Sequence, residues 1–154
     1  MKKVKICFAA SSGGHLEQLM MLKPLLKKYD GFLVTERTVY HLESGFPRTY
    51  FLKQVNRREP LFPVLMIMNS FSSLRIILKE RPDVVICTGV LVMIPLCLLA
   101  KLFRKKLIYI ESFAKVTTPT ISGKFLYRFA DQFYVQWESM LKVFPDAIYL
   151  GGIY

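Results

Sequence analysis

Apolar and polar positions along this chain follow two alternating periods. Short runs of mostly apolar residues, Val4 to Ala9, Gly31 to Thr35, Arg48 to Leu52, Asp83 to Cys87, Leu107 to Ile110, Asp131 to Val135 and Ala147 to Leu150, read as buried strands. Between them apolar residues recur at helical spacing. Leu16, Leu19, Leu22, Leu26 and Tyr29 follow the first strand, and Leu91 to Phe103 follows the fourth. A helix is also expected from Pro60 to Pro82, another over Phe125 to Ala130, and a short helical stretch before the last strand. Strands alternating with helices in this way predict an α/β fold, a Rossmann-like parallel sheet with helices on both faces, formed by residues 1–154 as a single domain.

Three places strain that pattern. Pro24 lies inside the first helix and must kink or divide it. Tyr40 to Phe46, which contains His41, is ambiguous and reads as one helical turn at most. From Pro60 to Leu74 there are fifteen residues without a charge, apolar all round at first, before Phe71, Leu74, Ile77 and Leu78 settle to one side. Such a half-helix needs a cover: a partner chain, the bilayer interface or a deep core.

Val84 to Ala100 is a second uncharged stretch of seventeen residues, short of the roughly 20 a spanning helix needs. Gly89 and Pro95 interrupt it and its first four residues are β-branched or small, so it reads as strand, turn and helix.

Composition adds a partner class. The 154 residues are 53% hydrophobic and carry 22 Lys and Arg against 11 Asp and Glu, a formal net charge of +11; mean hydropathy is +0.32. Apolar and basic together suit an anionic membrane surface. Nucleic acid is not expected, because the basic residues are dispersed and no helix-turn-helix, zinc-finger or ribonucleoprotein signature is present. Cys7, Cys87 and Cys97 sit in apolar runs and read as small buried hydrophobes in a reducing compartment. With two histidines and three scattered cysteines, no metal site is expected. Met1-Lys2-Lys3 is followed by too short an apolar run for a signal peptide, so no export is expected.

Candidate chemistry collects at strand ends. Ser11-Ser12-Gly13-Gly14-His15 lies between the first strand and first helix, where two glycines permit a tight turn and the helix presents unpaired N–H groups. This corner suits an anion such as phosphate, or is simply a turn. His15 at the helix start is favoured as the neutral ring, able to exchange a hydrogen bond with a substrate oxygen, or serves only as a packing or capping residue. Ligands bind parallel sheets at the carboxyl ends of strands, and Arg37, Asn56-Arg57, Thr88-Gly89, Glu111-Ser112 and Gln136-Trp137-Glu138 all fall there. Glu111, partly desolvated after a buried strand, is a candidate general acid or base; alternatively it caps the Ser11 to Gly14 backbone or pairs with Arg37.

These motifs in order, together with Val34-Thr35-Glu36-Arg37, Ser122-Gly123-Lys124 and Ala130 to Trp137, resemble small bacterial capsule and exopolysaccharide proteins. Those proteins are related to the membrane subunit of the eukaryotic dolichol-linked N-acetylglucosaminyltransferase. The resemblance implies that this chain is the N-terminal half of a GT-B glycosyltransferase split into two polypeptides. A separate C-terminal-type subunit would bind the UDP-sugar, and this half would hold a polyprenyl-diphosphate-linked acceptor at the cytoplasmic face of the cell membrane. Transfer would be inverting, with no bound metal or other cofactor, and this chain alone would show little or no activity.

By the same resemblance, Ser11, Ser12, Gly13, Gly14 and His15 would face the acceptor diphosphate and reacting sugar. Glu111 would be the post-strand acid, and Gly151, Gly152, Ile153 and Tyr154 would hold the partner. Arg37, Thr88, Gly89 and Ser112 complete the expected substrate site, and either His15 or Glu111 would take the acceptor proton. The eukaryotic relatives begin with a spanning helix that this sequence does not show, so attachment would rest on its apolar helices and basic residues.

Two other classes remain open at this level. A non-catalytic module that recruits and enhances the catalytic partner at the membrane would need neither His15 nor Glu111. A nucleotide-binding Rossmann protein would need an acid at the second strand's end, where Glu36 stands with Arg37 beside it.

Overall fold

The computed structural model describes residues 3–38 and 44–154. Seven strands form one parallel sheet in the order β3-β2-β1-β4-β5-β6-β7. They are β1 (Lys5–Ala9), β2 (Asp30–Glu36), β3 (Thr49–Leu52), β4 (Val84–Cys87), β5 (Lys106–Ile110), β6 (Gln132–Val135) and β7 (Ile148–Tyr149). The helices are α1 (Gly14–Met20), α2 (Phe62–Glu80), α3 (Ile94–Leu102) and α4 (Ile121–Leu126). The direction of strand progression reverses between β1 and β4, which makes that junction the topological switch point.

Alternation along the strands sorts the apolar residues to two faces. Cys7, Ala9, Phe32, Val34, Val85, Cys87, Leu107 and Tyr109 meet Ile76 and Ile77 of α2 and Leu96, Cys97 and Ala100 of α3 in the larger core. Ile6, Phe8, Leu33, Ile86 and Ile110 meet α1 through Leu19 on the other face. The three cysteines are buried and free, as small hydrophobes in that larger core.

The second face has the thinner cover. Pro24 divides the expected first helix: α1 stops at Met20, and a 3-10 turn over Lys23–Lys27 replaces its continuation. Beyond that turn an open groove of about 310 Å³ runs over Ile86, Ile108, Ile110 and Tyr134 to Ile153 in the tail.

Two further boundaries differ from expectation. Helix α4 starts at Ile121 rather than Phe125 because the Thr120 hydroxyl accepts from the Gly123 N–H (2.8 Å), which caps the helix one turn earlier. Most of the turn expected over 40–46, His41 included, lies outside the described residues.

Helix α2 is inverted. At nineteen residues it is long and apolar enough to cross a membrane, yet it lies along the domain with Asn69, Ser73, Ile76, Ile77 and Glu80 buried. The Asn69 amide makes a two-way clamp on the backbone of Lys53, accepting from its N–H (2.9 Å) and donating to its carbonyl (2.8 Å), so the chain leaving β3 is tied to the helix. Its outer face shows Leu61, Val64, Ile67, Met68 and Phe71, the last 64% exposed.

At the opposite end of the sheet, Glu80 anchors a charge cluster. It accepts from Tyr50 (2.5 Å) and Lys5 (3.3 Å) and pairs with Arg48 (3.4 Å). Burial pushes the Glu80 carboxyl up, but the hydrogen bonds from Tyr50 and Lys5 and the Arg48 and Lys5 charges outweigh it and leave the pKa below the ordinary 4.5. The same contact and burial push the Tyr50 phenol up to about 12. A depressed carboxyl means the unfolded chain takes up its proton first as pH falls. Stabilisation from Glu80 is therefore full above pH 4.5 and drains below it, as the pH falls through the lower folded-state value. Glu80→Gln is expected to lower stability near neutral pH by about 1–2 kcal/mol and to flatten the acid limb of the thermal-midpoint curve. An acid limb identical to wild type would contradict this role.

Candidate functional site

The site grows from the turn after β1. Gly13 has φ +75°, a left-handed conformation that favours glycine, and its carbonyl accepts from Leu16 (2.9 Å) and Glu17 (3.1 Å) as α1 begins. A Cβ at Gly13 or Gly14 would meet nothing within 4 Å, so this corner opens to solvent. Glu36, buried at the end of β2, accepts from the Ser12 N–H (3.2 Å) and hydroxyl (3.0 Å) and fixes the turn from below. The capping carboxylate expected of Glu111 is thus supplied by Glu36. With its Oε2 committed to Ser12, Glu36 also fits poorly as a ribose acid.

Across the switch point the turn is stitched to the end of β4. Ser11 N–H donates to the Gly89 carbonyl (2.9 Å). His15 Nδ1 lies 2.7 Å from the Thr88 carbonyl, and the Thr88 hydroxyl donates to the His15 carbonyl at 2.7 Å. A carbonyl only accepts, so this contact assigns a proton to Nδ1; in the neutral ring the lone pair then falls on Nε2, which has no hydrogen-bond partner among the described residues. Gly89 has φ +115°, and a Cβ there would press on the imidazole at 3.1 Å, so glycine allows the ring to lie against the β4 turn. Ser11, Ser12, Gly13, Gly14, His15, Thr88 and Gly89 meet at the switch point, but only Gly13 and Gly14 are exposed; Ser12 and His15 are half-buried, and Ser11, Thr88 and Gly89 are buried beneath them, so these three support the turn rather than face a ligand.

Glu111 and Ser112 stand at the next strand end and do different work. Glu111 is 1% exposed. Its carboxylate accepts from Ser112 N–H (2.8 Å), Thr120 N–H (3.1 Å) and the Thr120 hydroxyl (2.9 Å), and a Cβ on Gly123 would collide with it. This is a strut that closes the 111–120 loop onto α4, not a carboxylate open to a substrate. Ser112 is likewise engaged locally, its hydroxyl accepting from Ala114 (3.3 Å). Arg37 is exposed past the end of β2, where its N–H continues the ladder to Leu52 (2.9 Å). Among the described residues no group of three or more His, Cys, Asp and Glu is placed to hold a metal.

Two buried glutamines connect the tail to this site, and nothing in the sequence had marked Gln18 for a role. Gln136 Nε2 (2.8 Å) and Gln18 Nε2 (3.2 Å) both donate to the Glu111 carbonyl. Gln18, one turn beyond His15 on α1, also accepts from Phe113 N–H (3.1 Å), and Gln136 accepts from Ile153 N–H (2.9 Å). Tyr154 stacks edge-on against Phe113 at 5.1 Å, and Phe113 meets Trp137 at 4.9 Å. Leu150, Gly151, Gly152 and Ile153 therefore line the open groove, and Leu150 and Tyr154 are well exposed.

The seven-stranded parallel sheet with its glycine turn at the switch point is a Rossmann-like α/β domain, and solved structures show it to be the fold of one half of a GT-B architecture. Solved structures agree on the fold. MurG of Acinetobacter baumannii matches with TM-score 0.74 at 18% identity over 88% of this chain and 42% of its own. A UDP-N-acetylglucosamine 2-epimerase of Rickettsia bellii matches with TM-score 0.76 at 12% identity over 98% and 45%.

Residues 52–153 match the model of the family described as "Oligosaccharide biosynthesis protein Alg14 like", and the chain belongs to that family. It is similar to the protein of Rattus norvegicus named UDP-N-acetylglucosamine transferase subunit ALG14, at 34% identity over 77% of this chain and 56% of that protein. The protein of the same name from Yarrowia lipolytica is 31% identical over 96% of this chain and 80% of its own length. The chain thus spans about half the length of its mammalian relatives.

If Glu111 is a strut, Glu111→Gln loses an acceptor for one of its three donors and lowers stability by about 1–3 kcal/mol, read as a fall in thermal midpoint. An unchanged midpoint would return Glu111 to the list of free acids.

Proposed function

We propose that this chain is the acceptor-binding subunit of a two-chain inverting glycosyltransferase, which moves a sugar from a UDP-sugar to a polyprenyl-diphosphate-linked saccharide. The carrying observation is the His15–Thr88 pair at the switch point. It directs Nδ1–H at a carbonyl and leaves Nε2 beside an open glycine turn, so that the neutral ring would be suited to taking the proton from an acceptor hydroxyl. Family membership supports the two-chain reading, since its relatives are named as transferase subunits. The donor would be bound by a second, C-terminal-type chain, and UDP-N-acetylglucosamine is the first donor to try on the strength of those names.

Positioning explains why neither half would suffice. Aligning donor and acceptor can supply about 7–11 kcal/mol of the barrier, and one domain orients only one of them. The partner would hold the exposed tail from Leu150 to Tyr154 beside the open groove on the thinly covered sheet face. Membrane attachment at the cytoplasmic face would use the outward apolar face of α2, whose last two turns carry Arg75 and Lys79. The proposed setting is capsular or exopolysaccharide assembly. Its support is the motif series in the sequence; the relatives named above are eukaryotic.

The reading is tested by reconstituting this chain with its candidate partner, UDP-N-acetylglucosamine and a polyprenyl-diphosphate saccharide. Transfer is expected only with both chains, His15→Ala is expected to lower kcat by about 10²–10⁴-fold, and removal of residues 151–154 is expected to separate the chains on gel filtration. Full activity of the His15→Ala pair would favour the alternative, a non-catalytic recruitment and enhancer module. In vesicle flotation, a double variant Ile67→Glu/Phe71→Glu is expected to leave the lipid fraction while wild type stays with it. Equal flotation of both would remove α2 as the attachment face.

A further inference from the structure

A second cavity lies beside the histidine and no role has been given to it. It encloses about 860 Å³ between residues 54–59, after β3, and Val90 and Leu91, immediately after the Gly89 that backs the His15 ring. Its wall after β3 is ordered. The Asn69 clamp fixes Lys53, the Asn56 side chain accepts from Arg58 N–H (3.1 Å), and the Asn56 carbonyl accepts from Glu59 N–H (3.1 Å). This turn presents Arg57 and Arg58 as exposed neighbours, and neither forms an ion pair among the described residues. Glu59 is the acid in the same wall.

The cavity ends where the outward face of α2 begins. Phe62 N–H donates to the Glu59 carbonyl (3.0 Å), which leads the turn directly into the helix. From there Leu61, Val64, Ile67, Met68 and Phe71 form an exposed apolar strip. Ten residues of helix carry that strip about 15 Å. An arginine pair at one end and a contiguous apolar track at the other complement a molecule with a doubly phosphorylated head and a hydrocarbon tail.

We propose that this basin is the diphosphate seat for a polyprenyl-diphosphate lipid, with Arg57 and Arg58 on the phosphate oxygens and the first isoprene units along Leu61 to Phe71. The assignment rests on the acceptor-binding reading above and adds the subsite and the direction of the lipid. Arginine suits the head because its planar fork engages two phosphate oxygens at once. The seat places the sugar end of the acceptor on the Gly89–Val90 side, toward His15, so the Ser11 to His15 turn receives the reacting sugar and not the diphosphate that the resemblance had assigned to it. The lipid end follows α2 toward the bilayer.

The test measures binding of farnesyl diphosphate, farnesyl monophosphate and inorganic pyrophosphate to the full chain, with transfer by the reconstituted pair measured alongside. Wild type is expected to bind farnesyl diphosphate at least tenfold more tightly than pyrophosphate or the monophosphate. Arg57→Gln/Arg58→Gln is expected to lose tenfold or more for farnesyl diphosphate and to raise the acceptor KM with kcat and the UDP-sugar KM unchanged; Arg57→Lys/Arg58→Lys recovers part of the loss. Phe71→Glu is expected to weaken farnesyl diphosphate and leave pyrophosphate unaffected. Equal binding by wild type and Arg57→Gln/Arg58→Gln overturns the basin even if the pair transfers sugar. Equal binding of pyrophosphate and farnesyl diphosphate overturns the lipid track, leaving a site for free anions. Normal lipid binding by a pair that transfers nothing overturns the transferase reading instead.

Discussion

The two 2.7 Å hydrogen bonds between His15 and Thr88 join the turns after β1 and β4, the neighbouring strands between which the order of the sheet reverses. Each residue uses a side chain to hold the other's backbone carbonyl, so the β1 turn and the β4 turn cannot separate without breaking both. Everything chemical in the domain follows from that stitch. It fixes which imidazole nitrogen carries the proton, it brings Gly89 against the ring, and it sets the edge of the cavity at Val90. A parallel sheet supplies the precondition, because all seven strands deliver their carboxyl ends to one side. The Glu36 cap on Ser12 and the glycine backbone then leave the turn rigid below and open above.

Helix α2 meets a different constraint. It must bury part of itself against the sheet and yet presents Val64, Ile67, Met68, Phe71 and Leu78 outward. The fold resolves this by burying Asn69 with both amide groups satisfied by the Lys53 backbone and by burying Glu80 within a cluster of Lys5, Arg48 and Tyr50. Polar residues thus help Ile76 and Ile77 hold the helix in place, and Val64, Ile67, Met68, Phe71 and Leu78 are left facing outward. A monomer in water gains nothing from that arrangement.

The alternation of apolar runs made the parallel sheet legible, whereas the order of the strands, with its reversal between β1 and β4, came only with the structure. The Ser11 to His15 corner and Thr88-Gly89 were legible too, since each stands directly after a buried run. Glu111 misled because its position after a strand is the same whether it faces a substrate or a loop; only Thr120 and Gly123, nine and twelve residues on, reveal that it is enclosed. Gln136 was marked by its place at a strand's carboxyl end, but Gln18 gave no signal, and the role of both depends on sharing one carbonyl across separate elements. The α4 start was misplaced because Gly123 looked like a lead-in, whereas it sits inside the helix to leave room for the Glu111 carboxylate.

The division of labour between two chains is the central claim, and photo-crosslinking of the reconstituted pair addresses it most directly. A diazirine-bearing polyprenyl diphosphate and a photoreactive UDP-sugar are each irradiated with the complex, and the labelled chain is read by mass spectrometry. The account predicts that the lipid probe labels this chain, within residues 54–71 or the turns at 11–15 and 88–91, and that the nucleotide probe labels the partner. Nucleotide label on this chain, with the lipid probe on the partner, would contradict it.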